Sequence, residues 1–121
     1  MYKPFPAKVY LALSRLTFGA RRYRRKKEKI RRRYGDLFQR VSSILRKHDP
    51  ISLVLSPDNE YDFEVVKILP RMKYCSSVEE VTKMVHHVFV ETFDADSAGP
   101  SEKYHDLSHE IWELWSSNSK Q

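Results

Sequence analysis

Charge divides this chain into a part that can bury a core and a part that resists doing so. Residues 1–40 carry 14 Lys and Arg against only Glu28 and Asp36, a net +12, while residues 41–121 carry 8 against 14 acids, a net −6. Ten of the thirteen positions from Arg21 to Arg33 are cations, and Arg22–Arg32 leaves room only for Tyr23, Glu28 and Ile30 among eight like charges. Arg and Lys favour helix, but their mutual repulsion opposes an ordered one. The charge pattern therefore predicts residues 1–33 as a basic amphipathic arm and residues 34–121 as the folded domain. The two parts also differ in what they attract: polyanions for the arm, basic partners for the acidic body.

A chain of 121 residues with 40% hydrophobic content has room for one domain with a real core. Three glycines among long periodic stretches disfavour a sandwich or barrel. Cys75 is the lone cysteine, so no intrachain disulfide can form, and the pattern suits a reducing, cytoplasmic compartment. No run approaches the ~20 apolar residues of a transmembrane helix. The apolar stretch near Val9–Leu13 is short for a secretory signal, and the acid-free, Arg-rich residues 1–27 lack the Ser enrichment of a transit peptide.

The periodicity is helical throughout. Val9, Tyr10, Leu13, Leu16 and Thr17 predict a short helix from Pro6 to about Phe18. Tyr34, Leu37, Phe38, Val41, Ile44, Leu45 and His48 form the cleanest stripe, predicting a helix over 34–48 that stops at Asp49-Pro50. Ile51–Leu55 reads equally as a short strand or an extended connector, and Ser56–Asn59 as a turn whose Asp58 or Asn59 caps the next helix. That helix is predicted over 60–69 and is ended or kinked by Pro70. Ser77 with Glu80 forms a capping box ahead of a helix to about Asp94, and Ser101 is predicted to cap a last one over 101–115. The fold class is all-α: a small bundle of four main helices with a basic N-terminal helical arm, monomeric or dimeric.

Residues Val41 to Trp112 resemble the YugE-like group of small bacterial helical proteins. The shared features are the helix Ile44–His48 running into Asp49-Pro50, then Asn59-Glu60-Tyr61-Asp62, then Ile68-Leu69-Pro70, and Val88-Phe89-Val90 ahead of Phe93. Members of that group often carry Trp before the Asp-Pro pair, where this chain has His48. The resemblance implies a compact helical fold in bacterial cytoplasm, and it supplies no catalytic residues.

Candidate sites are few. His105 and His109 stand one helical turn apart, but the His-Glu-x-x-His order of zinc proteases is missing and spacing fixes no third ligand, so surface histidines are the simpler reading. Asp58, Glu60, Asp62 and Glu64 suggest a hard cation, yet the glycine hinge and distal Glu of a calcium loop are absent, and capping accounts for the turn. Tyr61 is predicted to face inward and hold that turn to the core through its hydroxyl. No phosphate-cradling glycine loop, nucleophile elbow or Cys-x-x-Cys pair occurs, so neither an enzyme nor a cofactor is expected.

The basic block carries the sharpest signal. Arg21, Arg22, Arg24, Arg25, Lys26, Lys27, Lys29, Arg31, Arg32 and Arg33 can displace counterions from a nucleic-acid backbone, with Tyr23 and Tyr34 available to stack. Base reading is not encoded, so such binding is nonspecific. The same array could rest on an anionic membrane surface, or fold back on the acidic body. The primary expectation is a non-enzymatic protein-binding module, in one form immunity- or antitoxin-like, with Trp112 flanked by His105 and His109 as the partner-binding residues. The alternative is a nucleic-acid-associated protein acting through the arm.

Overall fold

The computed structural model describes residues 20–52 and 61–119. Six α-helices follow in order: α1 (Ala20–Tyr34), α2 (Asp36–His48), α3 (Asp62–Arg71), α4 (Val78–Thr92), α5 (Ala95–Ala98) and α6 (His105–Ser119). Two 3-10 turns join them, Met72–Tyr74 after α3 and Ser101–Tyr104 before α6. No strand occurs among the described residues, and the class is all-α. The helix predicted over Pro6–Phe18 and residues 53–55 of the predicted strand or connector lie outside the described residues. The N-cap of α3 is Tyr61, with no side-chain cap bond, in place of the predicted Asp58 or Asn59, because the helix starts at Asp62 rather than at 60.

Helix α4 is the hub, packing against α3, α5 and α6, while α2 lies on α6. The apolar stripes read from the sequence meet here. Phe38, Val41 and Leu45 of α2, Val65, Ile68 and Leu69 of α3, Val85, Val88 and Phe89 of α4, and Leu107 and Ile111 of α6 are all buried. Burial of this kind stabilises by roughly 1.5–3 kcal/mol per large apolar side chain.

Four further boundaries differ from the sequence reading, each for a local reason. Tyr34 closes α1 rather than opening α2, because Gly35 sits between them at φ +57°, ψ −131°. Its N–H bonds the Arg31 carbonyl at 2.7 Å and its carbonyl takes the Phe38 N–H at 3.1 Å, so one residue ends one helix and starts the next. A side chain would be strained at that φ. Pro70 does not end α3 at once; the helix runs to Arg71 and then tightens into the 3-10 turn. The long fourth segment stops at Thr92, and Asp94 opens the separate helix α5 by accepting the Ser97 N–H at 2.7 Å. Ser101 is the first residue of a 3-10 turn rather than a cap, the cap position there being Pro100, and α6 begins only at His105.

Two predicted devices are present. Asp49 takes the left-handed conformation just past α2, its N–H bonded to the Leu45 carbonyl at 2.8 Å. Tyr61 is fully buried and donates its hydroxyl to Asp49 Oδ1, while the Ile51 N–H reaches the same phenol oxygen at 3.4 Å. At α4, Ser77 Oγ accepts the Glu80 N–H at 3.2 Å. The returning bond is displaced by one residue, since Glu80 accepts from the Ser76 N–H at 2.6 Å and from Ser76 Oγ at 3.0 Å. These bonds hold the Glu80 carboxyl below the ordinary carboxylate range.

Candidate nucleic-acid interface

The basic block is a regular helix, α1, docked on α2 and α3. Its inward positions are Tyr23, Lys27, Ile30 and Tyr34, spaced four, three and four residues apart. That spacing keeps them on one face of the helix. Ile30 is buried in the core, and Tyr23 packs its ring 5.3 Å from that of Phe63. Tyr34 lies with its ring centroid 6.3 Å from Trp115 of α6. Both tyrosines expected to stack on bases are thus spent on the body.

Lys27 is the one basic residue of this block turned inward. Its Nζ lies 2.8 Å from Asp62 Oδ2, with the two side chains only 16% and 4% exposed. Ser42 Oγ donates to the other oxygen, Oδ1, at 2.6 Å. Asp62 is the first residue of α3, where the helix dipole also favours a negative charge. The carboxylate is therefore satisfied by three helices at once. This pairing offsets the cost of burying the two charges and ties the basic helix to the acidic body.

The other nine cations, Arg21, Arg22, Arg24, Arg25, Lys26, Lys29, Arg31, Arg32 and Arg33, are exposed. On a helix turning about 100° per residue, Arg21, Arg25, Lys29 and Arg32 fall opposite the packed stripe. Arg24 and Arg31 lie on one flank, with the Arg31 guanidinium 5.6 Å from the Phe38 ring centre, and Arg22, Lys26 and Arg33 on the other. Glu28, the sole acid of the helix, pairs with Arg32 at 3.3 Å in solvent and neutralises little of the face. A shallow hollow lined by Arg24, Arg25, Glu28, Lys29 and Arg32 runs along it.

The remaining candidates separate. His105 and His109 are exposed on α6, His105 Nδ1 3.7 Å from Asp106 and His109 Nδ1 2.8 Å from Glu113. No group of three or more His, Cys, Asp or Glu gathers to hold a metal among the described residues. Of the predicted acidic cluster, Asp62 and Glu64 are buried in α3, and Asp58 and Glu60 lie outside the described residues. Trp112 is half-buried and packs against the edge of the core. His86 is half-buried: its Nε2 is 2.9 Å from the Gly99 carbonyl and its ring 5.5 Å from that of Tyr104. Tyr104 is fully buried, donates to the Ala98 carbonyl at 2.6 Å, and has its phenol pushed well up by that burial.

Lys47 and His48 at the end of α2 both grip Glu110 of α6, at 2.6 and 2.5 Å. Their hydrogen bonds hold the Glu110 carboxyl below its ordinary range. Cys75 is half-buried, its thiol pushed up by burial and then by the Glu80 charge, which disfavours the reactive thiolate.

No helix among the described residues is long and apolar enough to cross a membrane. Comparison with protein-family models, curated proteins and solved structures finds no match for this chain.

Proposed function

We propose that this chain is a non-enzymatic helical module that binds nucleic acid through the outer face of α1. The observation that carries the reading is the division of labour within the basic helix. One cation, Lys27, is committed to Asp62, and nine are held outward on a fixed scaffold. Dense cation arrays of this kind bind phosphate backbones by releasing condensed counterions, with steep salt dependence and no sequence code.

Two other readings draw less support. A helix lying in a membrane surface sinks an apolar face below the headgroups. The apolar stripe of α1 is instead packed on α2 and α3, so the face left to solvent is cationic. A protein partner centred on Trp112, His105 and His109 would need an accessible apolar anchor. Trp112 is engaged at the core edge, and the one exposed large hydrophobic among the described residues is Tyr74, at 76%.

Replacing Arg21, Arg25, Lys29 and Arg32 by Gln in the full chain tests the proposal. These side chains are exposed, so far-UV circular dichroism is expected to stay unchanged. Fluorescence anisotropy with labelled DNA at 0.1 M salt should show affinity falling at least about a hundredfold. Affinity within threefold of the parent chain would overturn the reading.

A further inference from the structure

We infer that the α1 face takes double-stranded DNA in preference to single strands, an inference that rests on the nucleic-acid reading above. Proteins that hold single strands combine a basic track with aromatic side chains on which bases stack. On α1 both aromatics are withdrawn: Tyr23 lies against Phe63 and Tyr34 against Trp115. Tyr74, the exposed large hydrophobic among the described residues, stands on the 3-10 turn after α3 rather than on this helix. What α1 presents is charge alone.

Charge alone favours the ligand with more phosphates per unit length. Arg21 to Arg33 spans about 18 Å at about 1.5 Å per residue. A duplex presents roughly ten phosphate charges over that length, counting both strands, and each strand alone about half as many. The arrangement of the cations fits two rows of phosphate as well. Arg24 and Arg31 occupy one flank, Arg22 and Arg33 the opposite one, and Arg21 and Arg25 the ridge between them. Ridge and flank cations together then face phosphates of both strands.

The magnitude follows from counterion release. About five contacts give a slope of log affinity against log salt near −4.5 on duplex and near −3.5 on single strands. For lines that meet near 1 M salt, that difference opens to about tenfold at 0.1 M salt.

The test titrates the full chain with a 20-base-pair duplex, with each of its separated strands, and with phosphatidylserine vesicles, at matched salt. The expected result is duplex affinity about tenfold above either strand, unchanged for a duplex of scrambled sequence. Tyr23→Leu keeps an apolar contact to Phe63 and should shift strand affinity by less than twofold, whereas loss of a stacking aromatic lowers it roughly 5- to 150-fold. Strand affinity equal to or above duplex affinity, or a fivefold loss in Tyr23→Leu, would overturn the duplex preference and leave the nucleic-acid reading standing. Binding to neither nucleic acid overturns both, and binding to vesicles alone replaces both with a membrane-surface role.

Discussion

Removing the Lys27 ammonium should destabilise this protein far more than removing any other cation of α1. In Lys27→Met the Asp62 carboxylate, 4% exposed, keeps only the Ser42 hydroxyl and the N-terminal end of α3. Stranding a buried charge costs about 3–5 kcal/mol, and the 16% exposure of Lys27 gives water some access, which places the cost near 3 kcal/mol. Asp62→Asn keeps a polar group beside Ser42 and leaves a lysine that can extend toward solvent, for about 1–2 kcal/mol. The double variant strands no charge, so it should cost about 2–3 kcal/mol less than the sum of the two singles. Urea denaturation followed by far-UV circular dichroism measures all three. For a domain of this size the Lys27→Met loss corresponds to a melting point lower by roughly 10–15 °C. Single-variant losses that simply add would refute the pairing, as would a Lys27→Met cost no larger than that of Lys29→Met.

Three further outcomes follow from local geometry. Gly35→Ala should cost about 1–3 kcal/mol through backbone strain alone, since φ is +57° and a Cβ there meets no atom within 4 Å; calorimetric melting measures it. Glu110→Gln should weaken the α2–α6 contact at neutral pH by less than about 1 kcal/mol, because the carboxylate is partly in water. Its folded pKa is depressed, so the contribution is full above the ordinary value near 4.5 and disappears as pH falls through the lower folded value. Parallel melts of parent and variant should therefore converge in acid. Cys75 should alkylate slowly with iodoacetamide at pH 8, and Glu80→Gln should speed the reaction by lowering the thiol pKa. Equal rates in the two proteins would remove the assigned role of the Glu80 charge.

Much of the body was legible because its core is local in period. The stripes of α2, α4 and α6, the stop at Asp49, the Ser77 cap and the inward Tyr61 each follow from residues a few positions apart. The docking of α1 follows from contacts that no local pattern exposes. Its inward stripe holds one aliphatic residue, Ile30, beside two tyrosines and a lysine, so hydrophobic periodicity barely registers among the surrounding charges. The partner of Lys27 sits in a different helix, in a group of acids that reads as capping and turn residues. The 4-3-4 spacing of Tyr23, Lys27, Ile30 and Tyr34 was the available signal. It divides the ten cations into one structural residue and nine that face solvent, and it moves both tyrosines from the binding face to the body.

The salt dependence of DNA binding tests that division most directly. Over a range of about 50–200 mM salt, the full chain on a 20-base-pair duplex should give a slope of log affinity against log salt near −4.5. Gln at Arg21, Arg25, Lys29 and Arg32 removes four of the nine outward cations and should flatten it to about −2.5, with the fold intact. A slope near zero in the parent chain, or one unchanged by the four substitutions, would contradict the assignment of the outer face of α1 as the binding surface.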